Sequence, residues 1–299
     1  MPMTLVNMKE TGIESLRQFR KMIRPAALLL FLFIAQGMSR ATVFTWPTGG
    51  ANPTWSSPPA AGTSETQDYF PATGQGISVS VANVGQTWQS TGLGGNANYP
   101  LVETPATQNS YGDPSGNANT NGLILYVSNT SNVVTNYIKV TINFNYTGGA
   151  NNITFNLWDV DYAAGTFRDT ISNIVGISAA NGATLQATTI TPSSTNQVVG
   201  TVGTAGVYVQ GTNGNNNNSQ NGNVTIGFSQ AVTSISFQWS NGLAGGTTQA
   251  IGIGQITFTG VGTAFPEVGS ATGALALCGG LLGVGRFRRR RHAGAVAGA

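Results

Sequence analysis

The densest group of ionisable residues in the middle of the chain is Leu157-Trp158-Asp159-Val160-Asp161, followed shortly by Arg168-Asp169. Side chains alternate along an extended backbone, so Asp159 and Asp161 point the same way, about 7 Å apart. Two carboxylates facing one loop suit a hard cation that takes several oxygen ligands at once, which makes Asp159, Asp161 and Asp169 candidate calcium ligands. The spacing is not that of an EF-hand loop. Two other arrangements use the same residues. Arg168 could neutralise one aspartate and leave the others in water. Alternatively, two of the carboxyl groups could serve a carbohydrate-active hydrolase or lyase, which needs them roughly 5 to 10 Å apart across a cleft.

Other chemistries fall away. Cys278 and His292 both lie near the C-terminus, so residues 42–260 contain neither cysteine nor histidine. Disulfides, thiol nucleophiles, His-based triads and the usual zinc ligand sets are excluded there. Only carboxylate, Tyr, Ser/Thr and Lys139 chemistry remains, and no catalytic residue is assigned. The formal charge of +3 describes the ends: between Thr42 and Gly285 two cations, Lys139 and Arg168, meet eight acids, a net −6. Nucleic-acid binding needs clustered Lys and Arg to displace counterions from phosphate, and this part of the chain has no such cluster. Aromatic side chains offer flat surfaces to sugar rings. Trp55 and Trp88 sit in Gly- and Ser-rich surroundings and are the candidate glycan-binding residues, whereas Trp158 and Trp239 end strongly alternating segments and are expected in a core.

The segments that must position these residues read as strands. Val140-Thr141-Ile142-Asn143-Phe144-Asn145-Tyr146, Ile153-Thr154-Phe155-Asn156-Leu157, Val224-Thr225-Ile226-Gly227-Phe228 and Ile235-Ser236-Phe237-Gln238-Trp239 all alternate with period two, the pattern of antiparallel strands with one buried face. Weaker candidates are 77–84, 122–128, 171–178, 187–191, 197–202, 206–210 and 252–259. Turn-rich stretches at 147–152 and 229–234 predict two hairpins, and Asn181-Gly182 predicts a type I′ turn. The two strong pairs resemble each other, and shared strand patterning accounts for this better than duplication. About ten short strands predict an all-β antiparallel β-sandwich, jelly-roll-like, over residues 42–260. Segment 45–72, rich in proline, reads as a loop whose Phe44, Trp46, Trp55, Tyr69 and Phe70 could pack on the sheet. Segment 211–223, with four consecutive asparagines, reads as a long flexible loop.

The two ends read as routing elements. Arg17, Arg20, Lys21 and Arg24 precede the apolar run 25–34, and Ser39-Arg40-Ala41 follows. This is the order of a secretory signal peptide over residues 1–41, with cleavage after Ala41, and the run is too short to span a bilayer. At the other end a linker, 261–264, leads to Phe265-Pro266-Glu267-Val268. A charge-free apolar segment follows at 269–285, then a basic tail, 286–299, carrying Arg286, Arg288, Arg289, Arg290 and Arg291. An apolar helix backed by arginines predicts a transmembrane segment whose basic end stays cytoplasmic.

This tail resembles the PEP-CTERM sorting signal of Gram-negative bacteria, with Val268 where the motif has its second proline. The resemblance covers about the last 35 residues. It implies Sec-type export, an inner-membrane-anchored intermediate, recognition of Pro266 and Glu267 by an exosortase-like processing enzyme, and display at or release from the cell surface, often with exopolysaccharide. A plain C-terminal membrane anchor fits the same residues. The expectation from the whole sequence is an exported, non-enzymatic protein of the cell surface or extracellular matrix that binds glycan, with calcium as its candidate cofactor and extracellular polysaccharide as its candidate partner. A carbohydrate-active enzyme and a ligand-free structural surface protein are the alternatives.

Overall fold

The computed structural model describes residues 41–47, 55, 58–69, 76–89, 99–103, 121–129, 135–215, 219–243 and 247–262. The signal-peptide residues before Ala41 and the expected sorting motif, apolar helix and basic tail lie outside them. Among the described residues no helix is long and apolar enough to cross a membrane.

Seventeen strands are described: β1 (Ala41–Phe44), β2 (Ser64–Tyr69), β3 (Ile77–Val84), β4 (Thr87–Trp88), β5 (Leu101–Glu103), β6 (Gly122–Asn129), β7 (Tyr137–Phe144), β8 (Ala150–Trp158), β9 (Tyr162–Ala163), β10 (Phe167–Ser178), β11 (Thr184–Gln186), β12 (Thr189–Pro192), β13 (Asn196–Val199), β14 (Tyr208–Gly211), β15 (Val224–Phe228), β16 (Val232–Asn241) and β17 (Thr247–Gly260). The only helical element among the described residues is a single 3₁₀ turn, Gln220–Gly222. All pairings are antiparallel. One half of the sheet runs β2-β3-β7-β16-β10 and continues into β14 and β13. The other runs β12-β15-β8-β17, and β17 then pairs with β6 along its first part and with β1 along its last. The ladders of the two halves join at Val232 opposite Ala150. The result is a large, curled, all-β antiparallel sheet whose halves face each other across one core.

Alternation explains the core. Val79, Ile142 and Ile235 line up across β3, β7 and β16, and Ile226, Phe155 and Ile256 line up across β15, β8 and β17. All are buried. The halves meet where Phe155 of β8 stacks on Phe237 of β16, ring centroids 6.1 Å apart, and where Phe144 of β7 meets Phe258 of β17 edge-on at 5.1 Å. Because the side-chain period is two, a slip of one residue in any ladder would turn its apolar set to water, which fixes the register.

The two expected hairpins do not form. β7 pairs with β3 and β16 rather than β8, and β15 pairs with β8 and β12 rather than β16. Each connecting turn carries the chain from one half of the sheet to the other, because both halves need an apolar face to cover the other's. The similar segments therefore cross-pair, β7 with β16 and β8 with β15. Their registers differ by two residues, Val140 lying opposite Phe237 but Val224 opposite Leu157. The hairpin at Asn181-Gly182 does form, joining β10 to β11. Only Gly182 has positive φ there, and Ser178 N–H donates to the Ala183 carbonyl around a four-residue loop, so the turn is not type I′.

The proline-rich stretch is more ordered than a loop reading predicts. Within it β2 pairs with β3 along all six of its residues, a polar edge strand that gives no apolar signal. Phe44, Trp46 and Tyr69 form a mutually edge-on aromatic trio with centroids 5.1 to 5.5 Å apart, and Trp46 Nε1 donates to the Gly254 carbonyl.

Trp158, the last residue of β8, determines where the chain leaves the sheet. Its indole lies over Gly122, Gly252 and Gly254 and is buried in a second apolar cluster with Tyr99, Ile124, Tyr126 and Ala250. A Cβ added at Gly252 would sit 2.7 Å from the ring. Gly252→Ala is therefore expected to overpack this seat and destabilise the fold by about 1–3 kcal/mol, read as a lower urea midpoint with an altered near-UV spectrum. An unchanged midpoint would mean the indole is not held there.

Candidate functional site

β8 ends at Trp158, and the next residue, Asp159, takes φ 61°. Aspartate tolerates this left-handed conformation better than most residues. The kink turns Val160 into the core, fully buried, and leaves Asp159 and Asp161 lining one cavity of about 310 Å³. The aspartates are brought together by this turn rather than by strand pleating. The residues lining the cavity also include Tyr126, Phe167, Asn215 and Gln249.

Four hydrogen bonds fix the floor. Asp169 N–H donates to the Asp161 carbonyl at 2.9 Å and Asp161 N–H donates to Asp169 Oδ2 at 3.1 Å, extending the β9–β10 hairpin by one pair. Trp239 Nε1, from β16 in the facing core, donates to Asp169 Oδ1 at 2.8 Å. From the Asn-rich loop, Asn215 N–H donates to Asp161 Oδ2 at 2.9 Å. Gly211 makes room for this: a side chain there would strike the Asp161 backbone. Residues 213–215 and 219–223, expected to be a flexible spacer, are tied to the site. Tyr162 N–H donates to the Asn213 carbonyl and Val160 N–H to the Gly222 carbonyl.

All three aspartates are buried: Asp159 and Asp161 are 6% exposed and Asp169 fully enclosed. Asp159 Oδ1 is buried without a hydrogen-bond partner. Burial, reinforced by the charge of Asp161 and opposed by the Asn215 side chain, pushes Asp159 up to about 8. Burial raises Asp161 to about 6, against the pull of the Asn215 N–H. Asp169 is held well above the ordinary carboxylate range, by burial first and by the Asp161 charge second. Asp159 therefore keeps its proton to higher pH than Asp161, and a protonated carboxyl beside an ionised one can donate to and accept from hydroxyl groups.

The expected residues separate here. Among the described residues no three His, Cys, Asp or Glu side chains converge to hold a metal. Asp169 has both oxygens engaged by protein donors, so only Asp159 and Asp161 face the cavity. Arg168 pairs with none of Asp159, Asp161 and Asp169: its guanidinium lies over the Tyr162 ring at 4.9 Å, and its Nε is buried without a partner among the described residues. Trp55, expected at the surface, is buried in the core at 7% exposure, and Trp88 is part-buried, its Nε1 donating to the Pro59 carbonyl. Trp55 belongs to the main core cluster and Trp88 packs against it. Sequence reasoning missed Phe167, Asn215 and Gln249, and it offered Tyr126 only as one of many aromatic residues that could meet a sugar ring. The unbroken apolar run 123–127 in β6 was a usable signal, since it implies that both faces are covered.

No family model matches the chain, and no curated protein matches it. Among solved structures it is similar to the N-terminal domain of the Streptococcus gordonii adhesin Sgo0707, with 11% identity and a TM-score of 0.32 over 74% of this chain. The match spans 48% of the adhesin chain, and the likeness is too slight to assign fold or function.

The raised carboxyls give a pH dependence of defined sign. The folded state holds protons that the unfolded chain releases near the ordinary aspartate value of 3.8, so stability is greatest below that value and is lost as pH rises toward 8. In chelator-treated buffer the thermal midpoint should fall between pH 4 and pH 8.5, and Asp159→Asn, which suits the same φ, should flatten the fall. Identical slopes for the two proteins would show that Asp159 carries no proton into neutral pH.

Proposed function

We propose that this is an exported, non-enzymatic protein of the cell surface or extracellular matrix, built on a jelly-roll-like β-sandwich, that binds glycan in the cavity between Asp159, Asp161 and the rings of Tyr126 and Phe167. The observation that carries the reading is the composition of that cavity. Carboxyl and amide groups beside two aromatic rings match a ligand that presents hydroxyls on its edge and C–H groups on its face. The reading moves the glycan site away from Trp55 and Trp88. A glycan array and titration with the full chain should find a saccharide ligand, and Tyr126→Ala or Phe167→Ala should each weaken it about tenfold, equivalent to about 1.4 kcal/mol. A carbohydrate-active hydrolase or lyase is the second reading, favoured by two carboxyl groups lining one cavity. It predicts release of reducing ends or unsaturated sugars, lost in Asp161→Asn. Binding without turnover supports the first reading, and turnover replaces it with the second.

The routing proposal rests on the termini. The signal peptide is removed after Ala41, and an exosortase-like enzyme processes the tail at Pro266-Glu267 once the apolar segment 269–285 and Arg286, Arg288, Arg289, Arg290 and Arg291 have held it in the membrane. Intact-mass analysis of protein recovered from its native host should find both ends missing. A mass that retains the arginines would leave a permanent membrane anchor.

A further inference from the structure

We propose that Asp159 and Asp161 form the base of a calcium site at the floor of the cavity, with Asp169 as a positioning residue behind it. The first support is the unpartnered oxygen. Asp159 is 6% exposed, it lines the cavity, and its Oδ1 receives no hydrogen bond from the protein. A buried carboxylate oxygen without a donor keeps its desolvation cost until a proton or a cation offsets it, and a divalent ion reaching the cavity would take the place of the proton that Asp159 otherwise holds. The second support is the shortage of local positive charge. The nearby guanidinium, Arg168, is turned onto Tyr162, and the other cation of the body, Lys139, is an exposed residue of β7.

Two adjacent carboxylates distinguish a cation from a hydroxyl donor. A hydroxyl relieves one oxygen and leaves the repulsion between the acids in place, whereas a divalent ion between them turns that repulsion into two attractions. Calcium accepts two carboxylates with amide oxygens, backbone carbonyls and water completing six to eight ligands, and Asn215 borders the same space. The contacts from Trp239 and from the Asp161 N–H hold Asp169 out of the coordination sphere. They also tie the Asp161 backbone to the core, so that the floor is rigid before the ion arrives. The inference deepens the glycan reading and shares its cavity: a calcium ion at the floor would present open positions to saccharide hydroxyls. Calcium chloride alone, without any saccharide, reads the cation site, so either reading can fail without the other.

The test is calorimetric titration of the chelator-treated full chain with calcium chloride, alongside thermal melts in calcium and in chelator. A dissociation constant of about 10⁻⁴ to 10⁻³ M is expected, in the range of extracellular modules, with a midpoint raised by about 3–6 °C at ten times that concentration. Asp159→Asn and Asp161→Asn should each abolish the heat and the shift, while Asp68→Asn, at an exposed site on β2, should leave both intact. In chelator Asp159→Asn should melt at or above the wild type, and in calcium below it. That reversal separates loss of a ligand from loss of the fold. Absence of binding up to about 10 mM, an equal response to magnesium chloride, or binding retained in both site variants would overturn the proposal. The wild-type melt in calcium against chelator decides the question even if a variant fails to fold.

Discussion

The stacking of Phe155 on Phe237 expresses the constraint on which the rest of the structure depends: each half of the sheet has one apolar face, and only the other half can cover it. An antiparallel sheet with one wet face is unstable until its dry face is matched. This is why the turns after β7 and β15 cross between halves instead of closing hairpins, and why the strongest strands pair with partners distant in sequence. Ile142 opposite Ile235 and Phe155 opposite Ile226 each join segments that are far apart along the chain.

The site is a consequence of that arrangement. β8 and β16 face each other across the core, so the end of β8 lies near Trp239 of β16. Trp239 spends its one N–H on Asp169, and Asp169 in turn receives the Asp161 N–H. The acidic floor is thus bonded to the centre of the molecule, while Trp158, seated on its glycines, fixes the point at which the chain departs. A buried carboxylate network of this kind is costly unless every oxygen is satisfied. Asp169 is satisfied and Asp161 has one oxygen engaged. Asp159, with its unpartnered Oδ1, is the exception, and it is the member that lines the cavity.

Local pattern made much of this legible. The span of β15 is the span of its alternating segment, β3 coincides with the segment 77–84, and the cores of β7, β8 and β16 follow from period-two spacing. The string Asp159-Val160-Asp161 marked the site because ionisable residues are scarce in this chain. Edge strands such as β2, Ser-Glu-Thr-Gln-Asp-Tyr, were not legible, since a strand whose neighbours supply its order needs no apolar pattern of its own. The exposure of Trp55 was misjudged for a related reason: polar neighbours in sequence say nothing about what lies across the sheet.

What the sequence by itself determined is the class of the protein: all-β, without cysteine or histidine in its body, acidic there, and carrying one cluster of carboxylates. Those properties are set by residue type and by periodicity within a few positions, where pleat and charge act directly. Tertiary structure alone decided which strands pair, that Arg168 turns to Tyr162, that Asp169 is consumed by Trp239, and that Tyr126, Phe167 and Asn215 close around Asp159 and Asp161. Each of these joins residues separated along the chain. Their meeting depends on how two apolar faces cover each other, and no local rule encodes that.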